Sequence, residues 1–529
     1  MGAALCFWAT LAVAASPDAP RAPRFEGLGP FTLPGASRHK AAQRWLDQGF
    51  VLAFAFQREE ASRSFDAATR ADPACIACWW GLAWSQGPTI HADADAVARA
   101  RIDRALARAK ALLARAGPRD RAIVEALAKR HPPGAPPDEA AWDKALAALA
   151  KRFPKDALVA FLAAEAHANL HPWDWWDGEG RARPWTAETI RRLDVALKRS
   201  PGHPGATHLR LHVTGGGPAP SPDGAVALAR TAPGMAHFAH LPGHAFERLG
   251  RYAEASAAHE RAAALERSAL AQVEAQGAER LPVAAHAQHA LWISAAFEGR
   301  SAVALAAAKD AYGVACGMGP GDTTVATLQH HAALQHYALV RFQRWDEILR
   351  SLPPDTPDPY PLAVFHFARG TAWARTGNPA RAREELARLV DAAADPRIER
   401  VRIRGMNTAA PLARIARATL EAEIARAEGD RTRALERLRE ATRIEDGLAF
   451  NRPHLWLAPT RHALGAMLLE AGRPEEAERA FREDLARHPE NGWALAGLAR
   501  ALRERGLAAD EAERRFALAW RAADFVLPR

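Results

Sequence analysis

The chain has 529 residues and a formal net charge of +9 at pH 7, and 25% of its residues are charged. This length exceeds what one hydrophobic core usually holds, which favours several domains or an array of repeats. Because arginine alternates with glutamate along polar helix faces and forms no basic cluster with aromatic residues, the positive charge does not indicate nucleic-acid binding.

The first fifteen residues are apolar and end in small residues, as in a secretory signal cleaved after Ala14 or Ala15. No Lys or Arg precedes the apolar run, so a start further upstream and a simple apolar tail are the alternatives. The run is too short to span a bilayer, and no other stretch of the sequence could do so. We expect a periplasmic or secreted protein with a signal peptide over 1–15 and a Pro-rich lead over 16–36.

Two cysteines, Cys75 and Cys78, form a C-x-x-C at a predicted helix start. A thioredoxin-like role would need a βαβ context, and attachment of a c-type haem would need histidine where Trp79 stands. Two interpretations remain, a local disulfide in an oxidising compartment and a pair of buried small residues.

Helical periodicity continues through the rest of the chain, in a composition rich in Ala, Leu, Arg and Glu that is typical of all-α proteins. Residues 59–84 and 475–506 both have the small-residue and aromatic spacing of a tetratricopeptide repeat. We therefore predict an all-α superhelical solenoid of tetratricopeptide-type hairpins. Predicted turns fall at Gly250, Gly299, Gln343, Gly377, Gly429, Gly472 and Gly506, and two of the intervals between them are 34 residues, the period of that repeat.

The predicted array has three segments. Residues 37–200 form N-terminal repeat-like helices with a Trp-rich loop, residues 201–345 form histidine-rich units, and residues 346–529 form C-terminal units. The tryptophans of the loop are either a stacking platform for a sugar or peptide, or residues that anchor the loop to the core. These tryptophans are Trp173, Trp175, Trp176 and Trp185.

Histidines are concentrated in the middle segment, where 12 of the 21 lie between residues 203 and 336. His237, His286 and His330 each stand thirteen residues before the turn of their repeat. Since stacked repeats place equivalent positions side by side, these imidazoles are expected to converge on the concave surface. Spacings of three or four residues add further imidazoles on the same helix faces. The candidate metal ligands are His208, His212, His237, His240, His286, His289 and His330.

Imidazole sets of this kind favour a transition metal ion such as zinc, copper or iron. A histidine-only set suits a site with an open coordination position better than a closed structural site. The alternative is that these histidines are structural, because repeat duplication copies a packing residue as readily as a ligand. We expect His244 to pack at the hairpin crossing, His259 to lie on the solvated or convex side, and His336 and His366 to be marginal extensions of the histidine stripe.

Familiar catalytic motifs such as G-x-S-x-G, the P-loop, the Rossmann glycines and HExxH are missing from the sequence. The leading interpretation is a binding scaffold of the cell envelope whose His-lined groove binds a transition metal, a protein or peptide partner, or both. A metal-dependent hydrolase or oxidase using the same histidines, and a metal-free protein adaptor, remain the alternatives. The carboxylates nearest in sequence, Glu165, Asp174, Asp177 and Glu247, have no spacing that demands acid–base chemistry.

Several stretches, among them HPWDWW (171–176), HPGATHLRLH (203–212) and HAQHALWISAAFEGR (286–300), resemble a family of exported bacterial tetratricopeptide-repeat proteins of unassigned role. The resemblance implies the repeat fold and a pattern of the form HPGAxHxxxH, HxxHxPxH and HxxH. This chain departs from the pattern at Gly215, where the family usually has Glu, and at His91, where it tends to have Asn.

Overall fold

The computed structural model describes residues 22–91, 93–177, 180–217, 221–274, 284–316, 324–403, 407–449, 454–456 and 458–527. The predicted signal peptide and the first part of the Pro-rich lead lie outside these ranges. The described residues form two compact units, one of residues 22–242 and 264–274 and the other of residues 243–263 and 284–527. They are called the N-terminal and C-terminal units below. The three segments drawn from the sequence stay a prediction.

The N-terminal unit is built from ten α-helices and part of two more. They are α1 (Lys40–Phe54), α2 (Arg58–Ala71), α3 (Ile76–Ser85), α4 (Ala96–Ala111), α5 (Pro118–Arg130), α6 (Glu139–Arg152), α7 (Ala157–Asn169), α8 (Thr186–Arg199), α9 (Pro204–Thr214) and α10 (Asp223–Thr231). The division between the units falls within α11 (Ala236–Arg248) and within α12 (Tyr252–Glu274).

The described part of the C-terminal unit is equally helical. Its remaining helices are α13 (Ala284–Phe297), α14 (Ser301–Cys316), α15 (Thr324–Arg341), α16 (Trp345–Arg350), α17 (Pro359–Arg375), α18 (Pro379–Ala393), α19 (Ala409–Ala427), α20 (Arg431–Asp446), α21 (Thr460–Glu470), α22 (Pro474–Arg487), α23 (Gly492–Glu504) and α24 (Asp510–Ala519). Two short antiparallel strands, β1 (Arg402–Ile403) and β2 (Asn407–Thr408), precede α19.

The helices pack as tetratricopeptide-type hairpins. In the first hairpin the Phe65 ring fills the space between α1 and α3, where a Cβ at Gly49 or Gly81 would lie 3.0 or 2.6 Å from that ring. Phe481 of α22 makes the equivalent contact with glycines of α21 and α23. Small residues at fixed positions let neighbouring helices approach closely. The spacing of glycine and phenylalanine in the sequence therefore predicts which residues pack together. The predicted fold class is confirmed.

The turns between hairpins also lie where the sequence places them. All six predicted glycines adopt positive φ angles of 70 to 84°. Gln343, which replaces glycine at the third of the seven predicted turns, has φ 55°. The left-handed conformation ends one helix and redirects the chain into the next.

In the N-terminal unit, the last helices pack against the first. An extended segment before α1 runs beside the entry to α11, where the Gly234 N–H donates to the Gly27 carbonyl at 2.8 Å. A Cβ at position 234 would lie 2.0 Å from a carbonyl oxygen of that segment, so the two backbones meet only because residue 234 is glycine. Nearby, Phe54 of α1 packs against Phe161 of α7 and against the His203 ring, with centroids 5.0 Å apart in each pair.

The C-terminal unit closes in a similar way. The Trp493 indole of α23 donates to the Ala296 carbonyl of α13 at 2.7 Å. After α24, Asp524 accepts hydrogen bonds from the Ser301 and Ala302 backbone N–H groups at the start of α14. These contacts join residues about 200 positions apart in sequence, so each unit brings its own ends together.

The structure bears on two expectations from the sequence, one about the cysteine pair and one about membrane-spanning segments. Cys75 and Cys78 are joined by a disulfide at the start of α3, and both are buried. Across the described part of the chain, we find no helix that combines the length and the apolar character needed to cross a bilayer.

Candidate metal centre

Three of the predicted ligands converge in the N-terminal unit. The Nε2 atoms of His212 and His237 each lie 2.8 Å from the Nε2 atom of His208. One ring nitrogen from each residue falls within 4.8 Å of the other two. We call His208, His212 and His237 the histidine triad.

Local structure explains how the triad is positioned. The imidazole of His203 caps the start of α9 by accepting a hydrogen bond from the Ala206 N–H at 3.3 Å. His208 and His212 then stand four residues apart on one face of α9. His237 lies in the first turn of α11, whose entry is held by the contact between Gly27 and Gly234.

The tautomer of His208 is determined by the first hairpin. Its Nδ1 atom lies 2.5 Å from the Phe54 carbonyl oxygen at the end of α1, and a carbonyl can only accept, so Nδ1–H is the donor. The Nε2 lone pair of neutral His208 therefore faces the other two imidazoles. Burial lowers the pKa of His208 to about 4, although the hydrogen bond to Phe54 opposes that shift. His208 is thus neutral at pH 7 and ready to bind a metal ion.

Two of the three nitrogen separations are compatible with ligands around one metal ion. With metal–nitrogen bonds of about 2.0–2.1 Å, two imidazole nitrogens are about 2.9 Å apart at a 90° angle and about 3.3 Å apart at a tetrahedral angle. The two observed separations of 2.8 Å are close to the first value. The carbonyl that holds His208 is the kind of partner that orients metal-binding histidines in proteins.

Aromatic residues surround the triad, and two of them have unusual backbone conformations. Phe56 has φ 59° and Trp173 has φ 63°. The Phe56 ring lies 4.9 Å from His208 between centroids, and the Trp173 ring lies 5.3 Å from His212. Positive φ angles at bulky residues are energetically costly and are concentrated at functional sites in proteins.

His91 also lies beside the triad, with its ring centroid 5.2 Å from that of His212. It contacts Phe56 and Trp173 as well, with centroids 4.6 and 4.9 Å away. Repeat positions and helical spacings do not predict this residue as a ligand, because it belongs to a loop between α3 and α4. The only signal in the sequence was His91 itself, at a position where the family that the chain resembles tends to have Asn.

The other predicted ligands have different neighbours. The ring of His240 packs edge-on against His237 in the N-terminal unit, with centroids 4.6 Å apart. In the C-terminal unit, His286 Nε2 lies 3.4 Å from His244 Nε2, and the His289 ring lies 5.1 Å from that of His330. These assignments as metal ligands stay predictions.

His330 has a hydroxyl partner. Its Nδ1 atom lies 2.9 Å from the Tyr360 hydroxyl, which is 3.3 Å from the Tyr337 hydroxyl. Burial lowers the pKa of His330 to about 3, so the ring is neutral. Among the described residues, several groups of three metal-binding side chains have their ligand atoms within 4.8 Å of one another. His289 and His330 belong to none of these groups.

Tryptophans of the Trp-rich loop mostly anchor it. Trp175 is buried, the Trp176 indole donates to the Val213 carbonyl at 2.6 Å, and Trp185 stacks on His171 with centroids 3.9 Å apart. Trp173 differs because its ring faces the triad.

Two histidines that the sequence did not predict as metal ligands, His244 and His259, form a second cluster in the C-terminal unit. His259 Nε2 lies 3.1 Å from one Glu247 oxygen, and His244 Nδ1 lies 3.3 Å from the other. The expectation of a solvated His259 is wrong, since its side chain is 0% exposed, and its placement on the convex side stays a prediction. Burial raises the pKa of the Glu247 carboxyl, but the hydrogen bonds and charges of His244 and His259 outweigh that effect and hold the pKa well below its usual range.

No family model and no curated protein matches the chain. Among solved structures, it is similar to a chain of the APC/C hetero-tetramer Cut9–Hcn1, with 14% identity, coverage of 88% of this chain and 79% of that one, and a TM-score of 0.31. The human IFIT1 dimer with m7Gppp-AAAA matches with 12% identity, coverage of 92% and 91%, and a TM-score of 0.31. The P58(IPK) TPR domain matches with 11% identity, coverage of 88% and 98%, and a TM-score of 0.21. These TM-scores are too low to support an argument, so the fold assignment rests on the packing described above.

Proposed function

We propose that this chain is a tetratricopeptide-type binding scaffold whose N-terminal unit binds one transition metal ion through the histidine triad. The convergence of three Nε2 atoms, two of them 2.8 Å from the third, carries the proposal. The neutral state of His208 supports the proposal, and so does its hydrogen bond to the Phe54 carbonyl. Together they leave the lone pair of His208 Nε2 free to face the nitrogens of His212 and His237.

Three imidazoles select for a late first-row divalent ion such as zinc or copper, or for iron(II), and against magnesium or calcium. Three protein ligands also leave at least one coordination position open. His212 is only half-buried and His91 is exposed, so an additional ligand can reach the ion from solvent. We propose that a donor side chain of a protein or peptide partner occupies that position, in a cell-envelope compartment. The buried disulfide and the apolar N-terminal run support the location.

A metal-dependent enzyme is the second candidate. The observation that favours it is the placement of the Phe56 and Trp173 rings against the triad. They would wall in a metal-bound water, the fourth ligand that catalytic zinc sites have beside three protein ligands. Zinc-loaded protein that turns over activated esters or phosphates, with the activity lost in His212→Ala, would favour the enzyme over the scaffold.

Zinc titration by calorimetry, on metal-free protein purified without an affinity tag, tests the triad. His212→Ala is the best variant, because this half-buried side chain can be removed with little disturbance to the core. We expect its zinc affinity at the triad to fall by at least about 100-fold, since loss of a mere orienting partner already costs 10–100-fold. His171→Asn is the matched control, because it removes an imidazole of the same unit that stacks on Trp185 instead of joining the triad.

Equal zinc affinity in wild type and His212→Ala would refute the proposed site. An open position is tested separately by adding imidazole to the Co²⁺-loaded protein. A shift of the visible d–d bands means that a fourth ligand enters, whereas unchanged bands mean that coordination is already complete.

A further inference from the structure

The cluster of His244, Glu247 and His259 in the C-terminal unit has the composition of a metal site. His244 and Glu247 are three residues apart on α11, so both side chains leave the same helix face. His259 reaches the same carboxylate from α12. Two histidines and one carboxylate are the ligand set of many zinc and non-haem iron(II) sites.

We propose that His244, Glu247 and His259 form a second site for a first-row divalent transition ion, independent of the histidine triad. His259 Nε2, a Glu247 carboxylate oxygen and His244 Nδ1 are the proposed ligand atoms. One ligand atom from each of the three residues lies within 4.8 Å of the other two.

Glu247 presents one carboxylate oxygen to each imidazole. His259 Nε2 lies 3.1 Å from one oxygen, and His244 Nδ1 lies 3.3 Å from the other. Neighbouring ligand atoms around one ion of this class are separated by about 2.9–3.4 Å. Both contacts are therefore compatible with a shared ion as well as with hydrogen bonds, and the ligand composition and the burial of the cluster carry the proposal.

Burial makes a bound cation favourable at this position. The side chains of Glu247 and His259 are 1% and 0% exposed. A carboxylate so far from water needs compensating positive charge, and a divalent ion bound between the three side chains would supply it.

The surrounding residues fix the cluster in place. A Cβ at Gly243 would lie 2.3 Å from the Cε1 atom of His259, so the ring packs directly against the backbone of α11. On the other side, His286 Nε2 lies 3.4 Å from His244 Nε2. With a metal ion on Nδ1, His244 Nε2–H points to His286, which then orients the ligand without binding the ion.

Zinc stoichiometry of the full chain tests this site. We expect two equivalents of tightly bound zinc in the wild type and one in Glu247→Gln, a nearly isosteric change that removes the carboxylate charge. His286→Gln should retain two equivalents, with one bound about 10–100-fold more weakly. His366→Gln is the matched control, since it disrupts another His–Glu pair of the same unit and should leave both equivalents in place.

This result is distinguishable from failure of the histidine triad, because His212→Ala should lose the other equivalent. Unchanged zinc content in a folded Glu247→Gln protein would overturn the second site. If that variant does not fold, anomalous scattering at the zinc edge from wild-type crystals decides the matter. A peak between His244, Glu247 and His259 supports the site, and its absence at millimolar zinc overturns it.

Discussion

Acidification should make local opening of α15 easier, because two buried histidines of this helix are neutral in the folded state. Burial lowers the pKa of His336 to about 4 and that of His330 to about 3, whereas both would titrate near 6.5 in an unfolded chain. At these two positions the unfolded state therefore binds more protons at mildly acidic pH, and their contribution to the free energy of opening α15 falls as the pH drops below 6.5.

The magnitude follows from these values. Between pH 7 and pH 5 each histidine contributes a loss of about 2 kcal/mol, because about 1.4 kcal/mol is lost per pH unit below 6.5 until the folded pKa is reached. His330 and His336 both lie on α15, so opening of that helix into an unfolded state should become easier by about 4 kcal/mol in total. The loss should level off below pH 3, where both states are protonated.

Hydrogen exchange of peptides from α15, corrected for the intrinsic pH dependence of exchange, measures this opening without assuming that the chain unfolds in one step. His336→Gln should reduce the difference between pH 7 and pH 5 by about 2 kcal/mol. Phe365→Leu is the control, because it loosens the packing against the His336 ring at both pH values and leaves the difference intact. A pH difference in His336→Gln equal to that of the wild type would refute the reasoning.

Two further changes test the packing of the hairpins. Gln343→Gly should stabilise the C-terminal unit by about 0.5–1 kcal/mol, because φ 55° at residue 343 is costly for any residue with a Cβ. Urea unfolding measures this change in stability, and Gln343→Ala should show no such gain. Asp524→Ala should cost about 1 kcal/mol, since it removes the acceptor for two N–H groups at the start of α14. Protease cleavage near α14 should rise, and Asp524→Asn, which still offers one acceptor oxygen, should lie between wild type and Asp524→Ala.

The proposed metal sites differ in how much of each was visible in the sequence. The repeat position singled out His237 and the four-residue spacing singled out His208 and His212, and the structure places their nitrogens together. His244 was expected to pack at the hairpin crossing, and His259, on a second helix, was expected on the solvated or convex side. Glu247 was noted only as a carboxylate whose spacing to other residues indicates no chemistry. The structure shows that α12 turns His259 inward against Gly243.

The sequence by itself determined the local architecture: helices from composition and periodicity, turns from glycine, and hairpin packing from Phe65 and Phe481 facing small residues. These features involve residues close together in the chain, and a repeat pattern specifies them directly. What surrounds the histidine triad was decided only by tertiary structure. His208 meets the carbonyl of Phe54 across 154 residues because the last helices of the N-terminal unit pack against its first hairpin. A linear repeat pattern predicts contacts between neighbouring hairpins alone. It therefore contains no signal for the contact between the last helices and the first hairpin of the N-terminal unit.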